Sequence, residues 1–206
     1  MASNSNMAKA SAIQGLSAFH GISAQSSPAP DGGAVGVTIS EMTHQGKVNV
    51  RCANGFHKKL SDIVGLKTDV ENNHFSATKT RFAVWLSPDE TLILTEAGAE
   101  AALCKQISDS AGKQTVSVND ITDALTSLHM KGAHVRDVLA KGCALDLHKD
   151  HFTAGMCAQT TLSHAAVTLL AVAEDEMIVI CRTSFTDYTV AYLCDAAIEY
   201  GFTLKA

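Results

Sequence analysis

Five residues suited to metal binding or proton transfer crowd one short stretch of this 206-residue chain: Cys143, Asp146, His148, His151 and Cys157. Thiolate, imidazole and carboxylate are the groups that hold zinc. Their spacing matches no finger, knuckle or HExxH helix, and the set straddles a loop and a strand. A structural reading is preferred, with Cys143 buried at a helix end and the histidines capping or paired with acids. Ser163, His164 and Asp187 offer the groups of nucleophilic catalysis. No GxSxG elbow presents the serine, Ser163-His164 sits where a hairpin should turn, and Ser184–Asp187 has the form of a capping box. Gly32-Gly33-Ala34-Val35-Gly36 is only superficially a phosphate loop, because the closing Gly-Lys-Ser/Thr is missing. Arg182 precedes a helix start that could hold an anion; an ion pair with Asp187 or Asp195 is the simpler expectation. Trp85, the sole tryptophan, is expected in the core. No catalytic, cofactor-binding or metal-ligating residue is assigned to this chain.

These residues must be positioned by the elements around them. Leu125 to Phe152 reads as a strand, a turn at Gly132, an amphipathic helix and a stop at Gly142. In that helix Val135, Val138 and Leu139 point inward, and Arg136, Asp137 and Lys141 are left to water. The first half of the chain has the same plan. KVNVRCANGFHKKLSDIVG parallels ALTSLHMKGAHVRDVLAKG, and ETLILTEAGAEAALCKQISDSAG parallels EMIVICRTSFTDYTVAYLCDAAIEYG. The pattern predicts an α+β fold of duplicated strand–helix–strands–helix units, with antiparallel sheets covered by helices. The last helix is expected to bury Phe185, Tyr188, Tyr192, Leu193 and Ala196 and to end at Gly201. One domain spans residues 35–206, with halves of about 35–118 and 119–206. Residues 1–34, rich in Ser, Ala and Gly, are expected to be a flexible N-terminal tail. Ile13, Leu16, Phe19 and Ile22 form a narrow stripe along it that could order against a partner.

Composition narrows the function classes. Hydrophobic residues make up 46% and charged residues 18% of the chain, enough to build a core. A net charge of -5 supplies no basic face, which argues against nucleic acid as a partner. No apolar run reaches the roughly 20 residues needed to span a bilayer, so no membrane is expected. The six cysteines contain no CxxC pair and read as reduced thiols of a cytoplasmic protein.

Three runs carry a family resemblance: GAHVRDVLAKGCALDLHKDHFTAGMCAQTTLSHAAVTLL, RTSFTDYTVAYLCDAAIEYG, and WLSPDETLIL in the first half. Together they resemble the γ subunit of heterotetrameric sarcosine oxidase, over about residues 35–202. Ala144 stands where the family pattern has Pro. The resemblance implies a fold like the folate-binding domain of the glycine cleavage T protein. It implies α, β and δ partner subunits in a flavoprotein complex. That complex oxidatively demethylates sarcosine to glycine, forms hydrogen peroxide and passes the one-carbon unit to tetrahydrofolate. FAD, FMN, NAD and tetrahydrofolate are then cofactors of the complex, associated with its larger subunits and not with this chain. The other reading is a stand-alone folate-binding or aminomethyl-transfer protein of the same fold.

Overall fold

The computed structural model describes residues 16–30 and 32–206. Two antiparallel-rich sheets lie face to face, each with two helices on its outer side. The first sheet has seven strands in the order β1-β12-β2-β8-β11-β10-β9 and the second five in the order β4-β5-β6-β3-β7. In chain order the strands are β1 (Gln25–Ser27), β2 (Val37–Glu41), β3 (Gly46–Cys52), β4 (Phe75–Ala77), β5 (Phe82–Ser87), β6 (Glu90–Thr95), β7 (Val116–Asp120), β8 (Leu125–Lys131), β9 (Cys157–Leu162), β10 (Ala165–Ala173), β11 (Glu176–Arg182) and β12 (Phe202–Lys205). The helices are α1 (His57–Val64), α2 (Glu100–Ser110), α3 (Val135–Ala140) and α4 (Thr186–Ala197).

Strand alternation divides the core into three layers. On β6, Ile93 joins a cluster with Leu60, Leu103 and Ile107 of α1 and α2. Its neighbours Leu92 and Leu94 point the other way, onto Ile178 and Ile180 of β11 across the sheet interface. Met177, Val179 and Cys181 of β11 in turn pack under Val138, Leu139 and Leu193 of α3 and α4. Strands buried on both faces read as apolar runs, as Leu92-Ile93-Leu94 in β6 and Met177-Ile178-Val179-Ile180-Cys181 in β11 do. Val135, Val138 and Leu139 are fully buried, as the helical period predicts. Trp85 packs at the margin of the layer between the sheets.

The duplicated units exchange their leading strands. β2 leads into β3 but pairs with β8, with Thr38 opposite Lys131. β7 leads into β8 but pairs with β3, with Val48 opposite Asp120. The two short linkers cross at the seam. Lys47 N donates to Thr122 Oγ1 at 3.0 Å, Ile121 N to the Lys47 carbonyl at 2.9 Å, and Met42 N to the Ser127 carbonyl at 2.9 Å. The expected half boundary near residue 118 therefore falls inside a strand that leads one unit and completes the other's sheet. Each half needs the other to close its hydrogen-bond ladder.

Three expectations are corrected. Residues 16–30 are not a free tail: β1 pairs with β12, Gln25 opposite Leu204, and Phe19 is buried in the α3–α4 layer. The Glu41 carboxylate accepts from the backbone N–H of Ala18 at 3.0 Å and also from the Ser17 hydroxyl. Of the predicted stripe, Phe19 and Ile22 pack inward and Leu16 is exposed; Ile13 lies outside the described residues. The capping box is not formed, because a 3-10 turn over Thr183–Phe185 starts the helix early and no side chain caps α4. Finally, α4 buries Thr186, Thr189, Val190, Leu193, Cys194, Ala196 and Ala197, leaving Phe185 and Tyr188 exposed. Small residues let the helix sit close to the sheet, and Thr186 donates to Thr126 at 2.9 Å. Phe185 and Tyr188 are turned to the outer side, while Tyr192 is half-buried against the core beside α3.

Candidate functional site

The loop from α3 to β9 borders a cavity of about 870 Å³ lined by Arg136, Asp137, Cys143, Asp146, His148 and Glu174, among others. Its shape depends on Arg136, which sequence reasoning left to solvent. The guanidinium donates to four carbonyls: Glu174 at 2.7 Å, Leu147 at 2.8 Å, Phe152 at 2.9 Å and Ala173 at 3.3 Å. It thereby ties the 147–152 loop to the β10–β11 turn. A cation in the first turn of a helix opposes the macrodipole. Its place there was the available sign that Arg136 is committed elsewhere.

The Cys–Asp–His set does not converge. Cys143 is buried against Thr160 Oγ1 at 3.7 Å. The Cys157 thiol contacts the carbonyls of His74 at 3.3 Å and Trp85 at 3.4 Å, so it faces the other sheet. Burial pushes that thiol up to about 12. Asp146 and His151 form an ion pair within the loop, and Asp146 also accepts from the His148 backbone N–H at 2.9 Å. These hydrogen bonds hold the Asp146 carboxyl below the usual carboxylate range and raise the His151 imidazole. Among the described residues no group of three or more His, Cys, Asp or Glu side chains is arranged to hold a metal ion.

The other candidates are dispersed in the same way. Ser163 occupies a hairpin corner with φ at 51° and accepts a 2.7 Å hydrogen bond from Tyr188, not from His164. Gly36 serves backbone packing: its N–H donates to the Tyr200 carbonyl at 2.9 Å, and its own carbonyl lies 2.0 Å from where a Cβ on Gly132 would sit. Next to this junction His134 stacks on Tyr200 with ring centroids 4.4 Å apart, and Lys141 lies 4.8 Å over the same ring. Lys141 also donates to the Ala196 carbonyl, placing a cation at the end of α4. Arg182 is exposed and, among the described residues, pairs with neither Asp187 nor Asp195, so the expected ion pair is corrected. Arg182 is still in register in the sheet, opposite Leu125, and lines a cleft with Asn49 and Glu90 of the other sheet. Lys47, unnoticed in the sequence, is buried at the crossing of the linkers, where its ammonium donates to the Gln45 carbonyl at 2.8 Å.

Comparison with known proteins gives this arrangement its context. The family model described as sarcosine oxidase, gamma subunit family, matches residues 51–199. The chain belongs to the sarcosine oxidase gamma subunit family. The gamma subunit from Corynebacterium sp. strain P-1 is 30% identical over 168 residues, covering 80% of this chain and 82% of that protein. That of Corynebacterium sp. strain U-96 is 28% identical, covering 80% of this chain and 81% of that protein. Among solved structures, a chain of the heterotetrameric sarcosine oxidase from Corynebacterium sp. U-96, in complex with pyrrole 2-carboxylate, superposes with a TM-score of 0.74 at 27% identity. The match covers 80% of this chain and 85% of that one. The glycine cleavage aminomethyltransferase T from Bartonella henselae shares the fold at a TM-score of 0.61 and 11% identity, over 83% of this chain and 47% of that one. The expectation of a T-protein-like α+β fold is thus met.

Proposed function

We propose that this chain is the structural γ subunit of a four-subunit flavoprotein complex that oxidatively demethylates sarcosine. Membership of the gamma subunit family, together with the likeness to a chain of the heterotetramer, carries this reading. In it the α, β and δ subunits are the partners, and the complex yields glycine and hydrogen peroxide while loading the one-carbon unit on tetrahydrofolate. The chemistry is assigned to the companion subunits, and the complex to the cytoplasm. No helix among the described residues is long and apolar enough to cross a membrane.

The residues around the cavity beside α3 argue against a cofactor at that surface. Asp137, Asp146, Glu174 and Asp175 line it, while Lys149 pairs with Glu174 at 2.9 Å and Arg136 is occupied by carbonyls. A flavin or dinucleotide phosphate, or the glutamyl tail of a folate, would meet carboxylates there without a free cation. This surface does not fit those groups.

Co-expression with the three companions tests the proposal. With this chain present, a heterotetramer forming sarcosine-dependent peroxide is expected; the isolated chain should bind no flavin and oxidise no sarcosine. A fully active, stable complex assembled without it would refute the structural role. Saturable binding of tetrahydrofolate by the isolated chain would favour a stand-alone folate protein instead.

A further inference from the structure

We infer that the outer face of α4, with the groove beside it, is the surface through which this chain docks on a companion subunit. We further infer that the docking segment is apolar and bears Lys or Arg. The inference rests on the proposed assembly and adds which face meets the partner and by what chemistry.

Five large hydrophobic side chains stand out as exposed among the described residues, and three belong to this helix and its flanking turns. Phe185 is 39%, Tyr188 38% and Ile198 51% exposed. Tyr188, Ala191, Asp195 and Ile198 follow one another at three- and four-residue steps, so they share a face. Phe185 and Tyr188 meet edge to face at 6.2 Å, and the Tyr188 hydroxyl is held by Ser163, so the aromatic pair is pre-ordered. Preorganised aromatic groups suit an interface because little freedom is lost on contact.

The adjoining groove has a volume of about 550 Å³. Ile22, Val190, Cys194, Ile198 and Phe202 supply its apolar wall. Asp187 and Asp195 are its charged lining residues, and no Lys or Arg lines it. Neither carboxylate has a cation partner among the described residues. The helices on the other sheet differ. α1 turns Lys58 and Lys59 to water, and α2 carries the exposed Lys105–Asp109 pair at 2.6 Å. Those are ordinary solvated faces, whereas that of α4 combines apolar side chains with unpaired carboxylates.

Charge also selects the occupant. A second copy docking through the same patch by a twofold axis would set Asp187 and Asp195 of both chains against one another. A segment with basic residues flanking apolar ones neutralises the carboxylates and fills the groove.

The test uses the four-subunit complex made by co-expression. Incorporation of the wild-type chain is compared with that of Asp187→Lys/Asp195→Lys, of Ile198→Arg, and of the control Lys105→Glu on α2. The two α4 variants are expected to incorporate at least tenfold less than wild type, with the control unchanged and the isolated chains melting alike. As a measure independent of any variant, carbodiimide labelling of Asp187 and Asp195 in the wild-type chain should fall at least tenfold on assembly. Variants that incorporate like wild type, or undiminished labelling in the complex, overturn the inference while leaving the assembly intact. A wild-type chain that fails to enter the complex refutes the assembly itself. Sedimentation of the isolated chain as a dimer that the α4 variants dissociate overturns the companion as occupant.

Discussion

Replacing Arg136 with methionine is expected to remove about 3–4 kcal/mol of folding free energy. The magnitude follows from the four carbonyls that the guanidinium serves. Hydrogen bonds to a charged donor contribute about 1.5–3 kcal/mol each. The bonds to Leu147 and Phe152 lie in the part-buried interior of the loop, and the lower end of that range for each gives about 3 kcal/mol. Glu174 is exposed and its carbonyl can turn to water, and the bond to Ala173 is the longest of the four at 3.3 Å, so these two add no more than about 1 kcal/mol. Methionine keeps most of the apolar stem, so the loss reports the polar contacts. Arg136→Lys should recover less than half, because an ammonium cannot reproduce the planar fork. Urea titration of wild type and both variants gives the magnitude. Hydrogen exchange should show loop 143–156 losing protection before α1 and α2 do. A loss below about 1 kcal/mol, or equal loosening in both sheets, would show that Arg136 is not the clamp described.

Gly132→Ala should abolish folding, since the new Cβ would lie 2.0 Å from the Gly36 carbonyl. Gly155→Ala, at φ 93° with open space around it, should cost only about 1–2 kcal/mol, and expression with circular dichroism separates the two. Leu139→Ala should cost about 2–5 kcal/mol in denaturant titration because the side chain is fully buried. For the Asp146–His151 clasp, the raised imidazole contributes below the ordinary His range and is lost as pH rises through its folded value. The depressed carboxyl contributes above the ordinary Asp range and is lost as pH falls through its folded value. The clasp is therefore strongest in mildly acidic solution, about pH 4–6.5, between the ordinary Asp and His values. An NMR titration should find His151 above the normal imidazole range and Asp146→Asn returning it there. Cys157, with its thiol near 12, should resist alkylation at neutral pH until the chain unfolds, which mass spectrometry of timed reactions will show.

The elements themselves were legible in the sequence because their signals are local. Alternation marked β3, apolar runs marked β6 and β11, and helical spacing marked α1 and α3; Gly65, at positive φ, closes α1, and Gly201, also at positive φ, follows the 3-10 turn Ile198–Tyr200 that continues α4 to the expected stop. The short β1, β4 and β12 escaped, since three or four residues carry no readable period and form only against a neighbour. The crowding of Cys143, Asp146, His148, His151 and Cys157 was visible at once, but its meaning was not. Whether such residues converge depends on where β9 lands relative to the other sheet, and Cys157 turns toward the His74 and Trp85 carbonyls there.

The sequence by itself determined the duplication, the buried stripe of α3 and the family, all of which are written in runs of neighbouring residues. Tertiary structure alone decided that β2 and β7 trade sheets, that Arg136 turns in to four carbonyls, and that α4 rests on its small side chains. Each of these outcomes is a choice among partners distant in the chain. Hydrogen-bond completion at the sheet edges and close packing of the layers make that choice, and no local pattern records it.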